Sequence, residues 1–188
     1  ERELALNVSL GVALRAVRGF AAPEVEQVYE RARVLCEQVG DTPHLFSVWR
    51  GLWAFHLLRA EYDTASRLGE RLLALAERLN DPAFLVEAHV AMGLTCCWMG
   101  KLMQARKHLE AGLALYDPQR HRVHAYRYGQ DPGVAGRSIL AYVLWLLGDP
   151  EQAIPRPAAP CSGHCSGCAY AAGYDWAERV GSTCAASR

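Results

Sequence analysis

What this sequence most conspicuously lacks is charge of one sign: 20 Lys and Arg stand against 20 Asp and Glu, for a formal net charge of zero. A balanced chain carries no basic footprint for nucleic acid or an anionic membrane surface. It also lacks any apolar run near the roughly 18 to 20 residues that a bilayer-spanning helix needs. The first residues, Glu1-Arg2-Glu3-Leu4, do not make the charged and apolar regions of a secretory leader. These absences predict no nucleic-acid partner, no membrane partner and a cytoplasmic location. There is no initiating Met, and a helical pattern is already under way at the start, which predicts a piece of a longer chain.

Catalytic signatures are missing as well. Neither a Gly-x-Ser-x-Gly elbow nor a His-Glu-x-x-His helix occurs. Gly100-Lys101 invites a phosphate-loop reading, but Leu102 stands where Ser or Thr must hold the metal, and Thr95 stands at the first glycine. No catalytic residue, cofactor or enzymatic activity is expected within these residues.

Cysteine is used in two ways. Cys36, Cys96 and Cys97 fall within helical patterns, where a thiol behaves as a small buried hydrophobe. Cys161, Cys165, Cys168 and Cys184 crowd the end of the chain. Of these, Cys161, Cys165 and Cys168 with His164 make a weak zinc candidate, since a Cys-x2-Cys step supplies two ligands. The second knuckle is missing and four ligands within eight residues are cramped, so an unstructured tail is the favoured reading and no metal is expected.

What is present is a pattern that returns at a fixed offset. Ala60-Glu61-Tyr62-Asp63-Thr64-Ala65 lines up with Gly100-Lys101-Leu102-Met103-Gln104-Ala105, a shift of 40 residues. A period of this size filled by two helical stretches is the signature of stacked helical hairpins. From Leu4 to about Ile154 the chain reads as helix after helix. Leu4, Leu6, Leu10, Ala13, Leu14 and Val17 give a first apolar stripe, and Val25, Val28, Tyr29, Ala32 and Leu35 a second. Asn80-Asp81-Pro82 is a stop-and-restart signal. On the tetratricopeptide motif, Gly93 and Ala105 take the two small positions of the best-matching unit, and Ala141 and Ala153 repeat their separation. Trp53 stands where a small residue belongs. The predicted fold class is all-α: a right-handed superhelix of tetratricopeptide-like helical hairpins, an α-α solenoid of about three and a half hairpins over residues 1–154. Pro155, Pro157 and Pro160 then end the periodicity, and residues 155–188 are expected to be disordered or a non-native, frameshift-like end.

Two sets of residues stand out as candidate binding sites. Carrying over the motif's inner-groove positions gives Arg50 in the second unit, Glu87, Leu94 and Trp98 in the third, and Ser138, Tyr142 and Trp145 in the fourth. Trp and Tyr with a few charges suit peptide recognition, because they bring large rigid contact area; packing between repeats is the plainer alternative. The second set lies in an insertion of eight residues between the third and fourth units, within 116–132. Arg120, His121, Arg122, His124 and Arg127 form a basic cluster able to hold a phosphate or an acidic segment. A solvated loop with Tyr126 and Tyr128 packed over the next repeat is the favoured reading there.

The run Tyr116 to Arg122, the stretch Tyr128-Gly129-Gln130-Asp131-Pro132-Gly133-Val134-Ala135 and the segment Ala141 to Gly148 resemble a known group. They are similar to the tetratricopeptide-like region of large bacterial signalling ATPases that carry a class III adenylate/guanylate cyclase domain and an AAA- or STAND-type ATPase module. Ala22 to Val25, Leu35 to Pro43 and Leu73 to Ala76 share the likeness. The resemblance implies a fragment that binds protein or peptide, including the ATPase or cyclase domains of its own parent chain. It carries over no catalytic residue, because the cyclase carboxylates and the phosphate loop belong to other domains. Affiliation with a nucleotide cyclase or ATP-binding protein, and a ligand-sensing role in which the insertion around His121 to Arg127 and the groove bind a small molecule, are the alternatives.

Overall fold

The computed structural model describes residues 2–19, 21–39, 42–121 and 123–153. Among them every regular element is helical. Six long helices come first: α1 (Arg2–Arg18), α2 (Pro23–Val39), α3 (Thr42–Leu58), α4 (Tyr62–Leu79), α5 (Pro82–Trp98) and α6 (Leu102–Leu115). Two short ones, α7 (Pro118–His121) and α8 (His124–Tyr128), precede α9 (Pro132–Leu146) and α10 (Pro150–Ala153). α1, α3 and α5 begin at residues 2, 42 and 82 and end at 18, 58 and 98, so the 40-residue offset reaches the start of the chain.

Local chemistry sets the boundaries. Asp81 caps α5 by accepting the Ala83 backbone N–H at 2.9 Å, and Pro82 follows where its missing donor costs nothing. Asp131 and Pro132 repeat the device at α9, with the carboxylate accepting from Gly133 and Val134. The α5–α6 turn needs a left-handed residue and has Gly100 at φ 74°. The α3–α4 turn, 40 residues earlier, places Ala60 at φ 59°.

Consecutive long helices pack on one another, from α1 on α2 through α5 on α6, and α6 then meets α9. Alternate helices also touch: α1 with α3, α3 with α5, and α5 with α9. These four therefore form one row and α2, α4 and α6 a second, the two-layer solution for helices with one apolar stripe. α5 is apolar almost all round and is buried along most of its length, as such a helix must be. Gly93 lets α6 approach: a Cβ there would lie 2.5 Å from Leu109 Cγ. Trp53, at the position expected to be small, is buried and its indole N–H donates to Thr95 Oγ1 at 2.9 Å.

Two expectations are corrected. The α1 stripe does not face the core: Leu6, Leu10, Ala13 and Val17 are exposed, while Gly11 and Arg15 are buried and Val8 and Leu14 half-buried. Gly11 lies against the Tyr29 ring, and so does Gly51 of α3, so small residues decide which side of α1 turns inward. The insertion is not a solvated loop either; it folds as α7 and α8 and buries His121, His124 and Tyr128. Residues 155–188, including the tail's candidate zinc ligands, lie outside the described residues.

Candidate functional site

α3 and α5 each bring a charged side chain to their shared inner row, and α8 lies over them. Glu87 of α5 is 0% exposed and Arg50 of α3 is 2% exposed. Arg50 Nε donates to Glu87 Oε2 at 3.0 Å, and His124 Nδ1 of α8 donates to Glu87 Oε1 at 2.9 Å. One carboxylate thus ties the two candidate sets together. The Arg50 guanidinium also sits 4.4 Å from the Trp53 ring centre, where the ring quadrupole favours a cation.

α8 is fixed at its other end by α1. The buried Arg15 guanidinium donates to the Tyr128 backbone carbonyl, and the Tyr128 ring meets Phe46 of α3 edge-on at 6.3 Å. Burial pushes the Tyr128 phenol up to about 12. Burial likewise lowers Arg15 and raises Tyr29, whose side chains are hydrogen-bonded. The cover is incomplete: an open cleft of about 330 Å³ runs beside α8, lined by Val8, Val12, His44, Ser47, Tyr126 and Arg127.

His121 completes the cluster, with its ring 5.3 Å from that of His124. The Asp117 backbone N–H donates to His121 Nδ1 at 2.9 Å, so the ring is neutral with its proton on Nε2. Burial, then His124, holds it below the ordinary histidine range. The Glu87–His124 pair has the form of a carboxylate orienting a general base. Among the described residues, however, no Ser, Thr or Cys hydrogen-bonds either imidazole, and His124 is buried from substrate. The arrangement ties α3, α5 and α8 together.

The groove residues divide three ways. Arg50 and Glu87 do not line an open groove; α8 covers them. Leu94 is core. Ser138 Oγ donates back to the Val134 carbonyl at 2.9 Å, so its hydroxyl is engaged within α9. Trp98, Tyr142 and Trp145 form a row: Trp98 and Tyr142 have ring centres 6.4 Å apart, and Tyr142 stacks on Trp145 at 6.4 Å. Trp98 is 50% exposed and Trp145 47%. Of the basic cluster, Arg120 and Arg127 point outward, with Arg127 held over Phe84 and Tyr128. Arg122 lies outside the described residues.

Sequence reading missed Arg15, although a lone Arg interrupting an apolar stripe was its signal. It also missed a pair between α5 and α6: His89 Nδ1 and His108 Nδ1 lie 3.2 Å apart, half-buried, and burial lowers both. Two imidazoles fall short of a closed metal site. Among the described residues no group of three or more His, Cys, Asp or Glu converges on a point.

No family model matches the chain, and no solved structure matches it. It is similar to an uncharacterized protein of Rhizobium meliloti (strain 1021), 23% identical over 148 residues. The match covers 74% of this chain and 14% of that protein, so the chain spans about a seventh of the relative's length.

Proposed function

We propose that this chain is a non-catalytic interaction and regulatory module: a right-handed superhelix of tetratricopeptide-like hairpins that binds a protein or peptide segment. The row Trp98–Tyr142–Trp145 carries the reading. Two half-exposed indoles flanking a tyrosine on adjacent helices are a rigid, amphipathic contact surface of the kind that anchors protein interfaces. The 40-residue offset of α1, α3 and α5, and their alternate-helix contacts with α9, support the superhelix. The relative's far greater length supports a module of a larger protein. Signalling, with the ATPase or cyclase domains of a parent chain as partner, rests on the resemblance over residues 1–154.

A photo-crosslinking residue placed at 98 or 145 tests this in cells. The expected result is one dominant crosslinked protein, or one crosslinked site on a longer parent chain, shared by both positions. It is absent when the residue is placed at exposed Arg71 of α4. A pattern common to all three positions would remove the aromatic row as a binding face.

A further inference from the structure

α6 packs on the apolar α5 through Gly93, which meets Leu109. One turn from that contact the same interface carries two imidazoles. His89 Nδ1 of α5 and His108 Nδ1 of α6 lie 3.2 Å apart with ring centres at 5.4 Å, so the two nitrogens face each other across one gap. The helix packing does not require imidazoles there. At the 40-residue offset the counterpart positions hold Trp49 and Leu68, which pack in the apolar core. Two facing nitrogens this close cannot both carry protons, so at least one presents a lone pair to the gap. A metal held by two imidazoles needs a defined bite: bonds of about 2.0–2.1 Å at an angle of roughly 90–109° set the nitrogens about 2.8–3.4 Å apart. The observed 3.2 Å falls inside that range. Gly112, one turn after His108, leaves His89 its place, since a Cβ there would lie 3.1 Å from His89 Cβ. The nearby charges are one of each sign, Glu77 of α4 acting on His89 and Lys107 on His108. Both rings are half-buried, which leaves one side of the gap open to water.

We propose that His89 and His108 form a two-imidazole site for a divalent transition metal, with copper(II) bound tightest and water filling the remaining positions. Copper(II) heads the order of affinities for nitrogen ligands. Zinc stands below it and gains most from four fixed ligands, which this site lacks. On binding, both Nδ1 lone pairs go to the metal and both protons reside on Nε2. One proton therefore shifts from Nδ1 to Nε2 of its ring, and none is released. The ion clamps α5 to α6 through side chains of two long helices, and the site shares no residue with the Trp98–Tyr142–Trp145 row.

The probe is copper(II) chloride, titrated into the full chain carrying Cys161→Ser, Cys165→Ser, Cys168→Ser, Cys184→Ser and His164→Ala, so that the tail neither reduces nor captures the ion. The expected result is saturation at a single ion per chain, with a rise in melting temperature. Electron paramagnetic resonance is expected to show the splitting of two nitrogen ligands. His108→Leu installs the residue found 40 positions earlier and is expected to fold. It is expected to lose at least about tenfold in copper affinity and one nitrogen from the splitting, and His89→Gln to do the same. Zinc at the same concentration is expected to leave the melting temperature unchanged. Unaltered copper affinity in folded His108→Leu and His89→Gln, or equal stabilisation by zinc, overturns the proposal. So does the absence of saturable binding, or fewer than two nitrogens with both histidines in place, a count that needs neither variant to fold.

Discussion

Glu87 stands at the centre of the residue-scale chemistry because it accepts from two side chains at once, one on each carboxylate oxygen. Removing one member of a buried pair leaves the other uncompensated. Glu87→Ala is expected to lower unfolding free energy by about 3–5 kcal/mol, read by urea denaturation. Adding Arg50→Met should recover part of that loss, since the stranded guanidinium is gone. Both residues were picked out from sequence, but as groove-lining side chains. Their burial was not legible, because Glu87 lies 37 positions from Arg50 and 37 from His124, and no local pattern links such distances. The histidines give a pH dependence of definite sign. Burial holds His121, His89 and His108 below 6.5, so the unfolded chain binds protons more readily. Their contribution is intact above pH 6.5 and is lost as pH falls from there toward their lowered values. The melting temperature is expected to drop between pH 7.5 and 5.5, and His121→Gln to shallow that drop.

At the scale of elements, one turn departs from the turn 40 residues after it. Ala60 adopts the left-handed conformation that Gly100 adopts 40 residues later, at a steric cost glycine does not bear. Ala60→Gly is expected to stabilise the chain by about 0.5–1 kcal/mol, after the added freedom of the unfolded state is subtracted. Gly93 is the opposite case. A methyl there meets Leu109, so Gly93→Ala is expected to cost about 1–3 kcal/mol in thermal or chemical unfolding. The helices and caps around these positions were readable because they depend on neighbours a few residues away: Asp81 with Pro82, Asp131 with Pro132, and Leu68, Leu72, Leu75 and Ala76 on one face of α4. The inward side of α1 was not. Its longest apolar residues face solvent, and the buried side is chosen by Gly11 fitting the Tyr29 ring and Arg15 reaching α8.

For the whole molecule, two rows of helices share one apolar core running from Val25 and Tyr29 through Phe46, Leu72 and Ala88 to Leu109 and Val143. A core continuous across neighbouring helices predicts one cooperative transition. The full chain and a chain ending at residue 154 are expected to melt as single helical transitions within about 3 °C of each other by far-ultraviolet circular dichroism, with no response to zinc. A zinc-dependent rise in the full chain would instead make the Cys161 to Cys168 segment structural. The sequence by itself determined the helical class, the 40-residue spacing of α1, α3 and α5, and the caps, since periodicity and capping act over one or two turns. Only the tertiary structure decided that the insertion would fold back on α1, α3 and α5, that Arg50 and Glu87 would be covered, and that half-exposed Trp98 and Trp145 would flank half-buried Tyr142 in one row. Those outcomes depend on which faces meet across dozens of residues, where one glycine beside one ring outweighs a stripe of leucines.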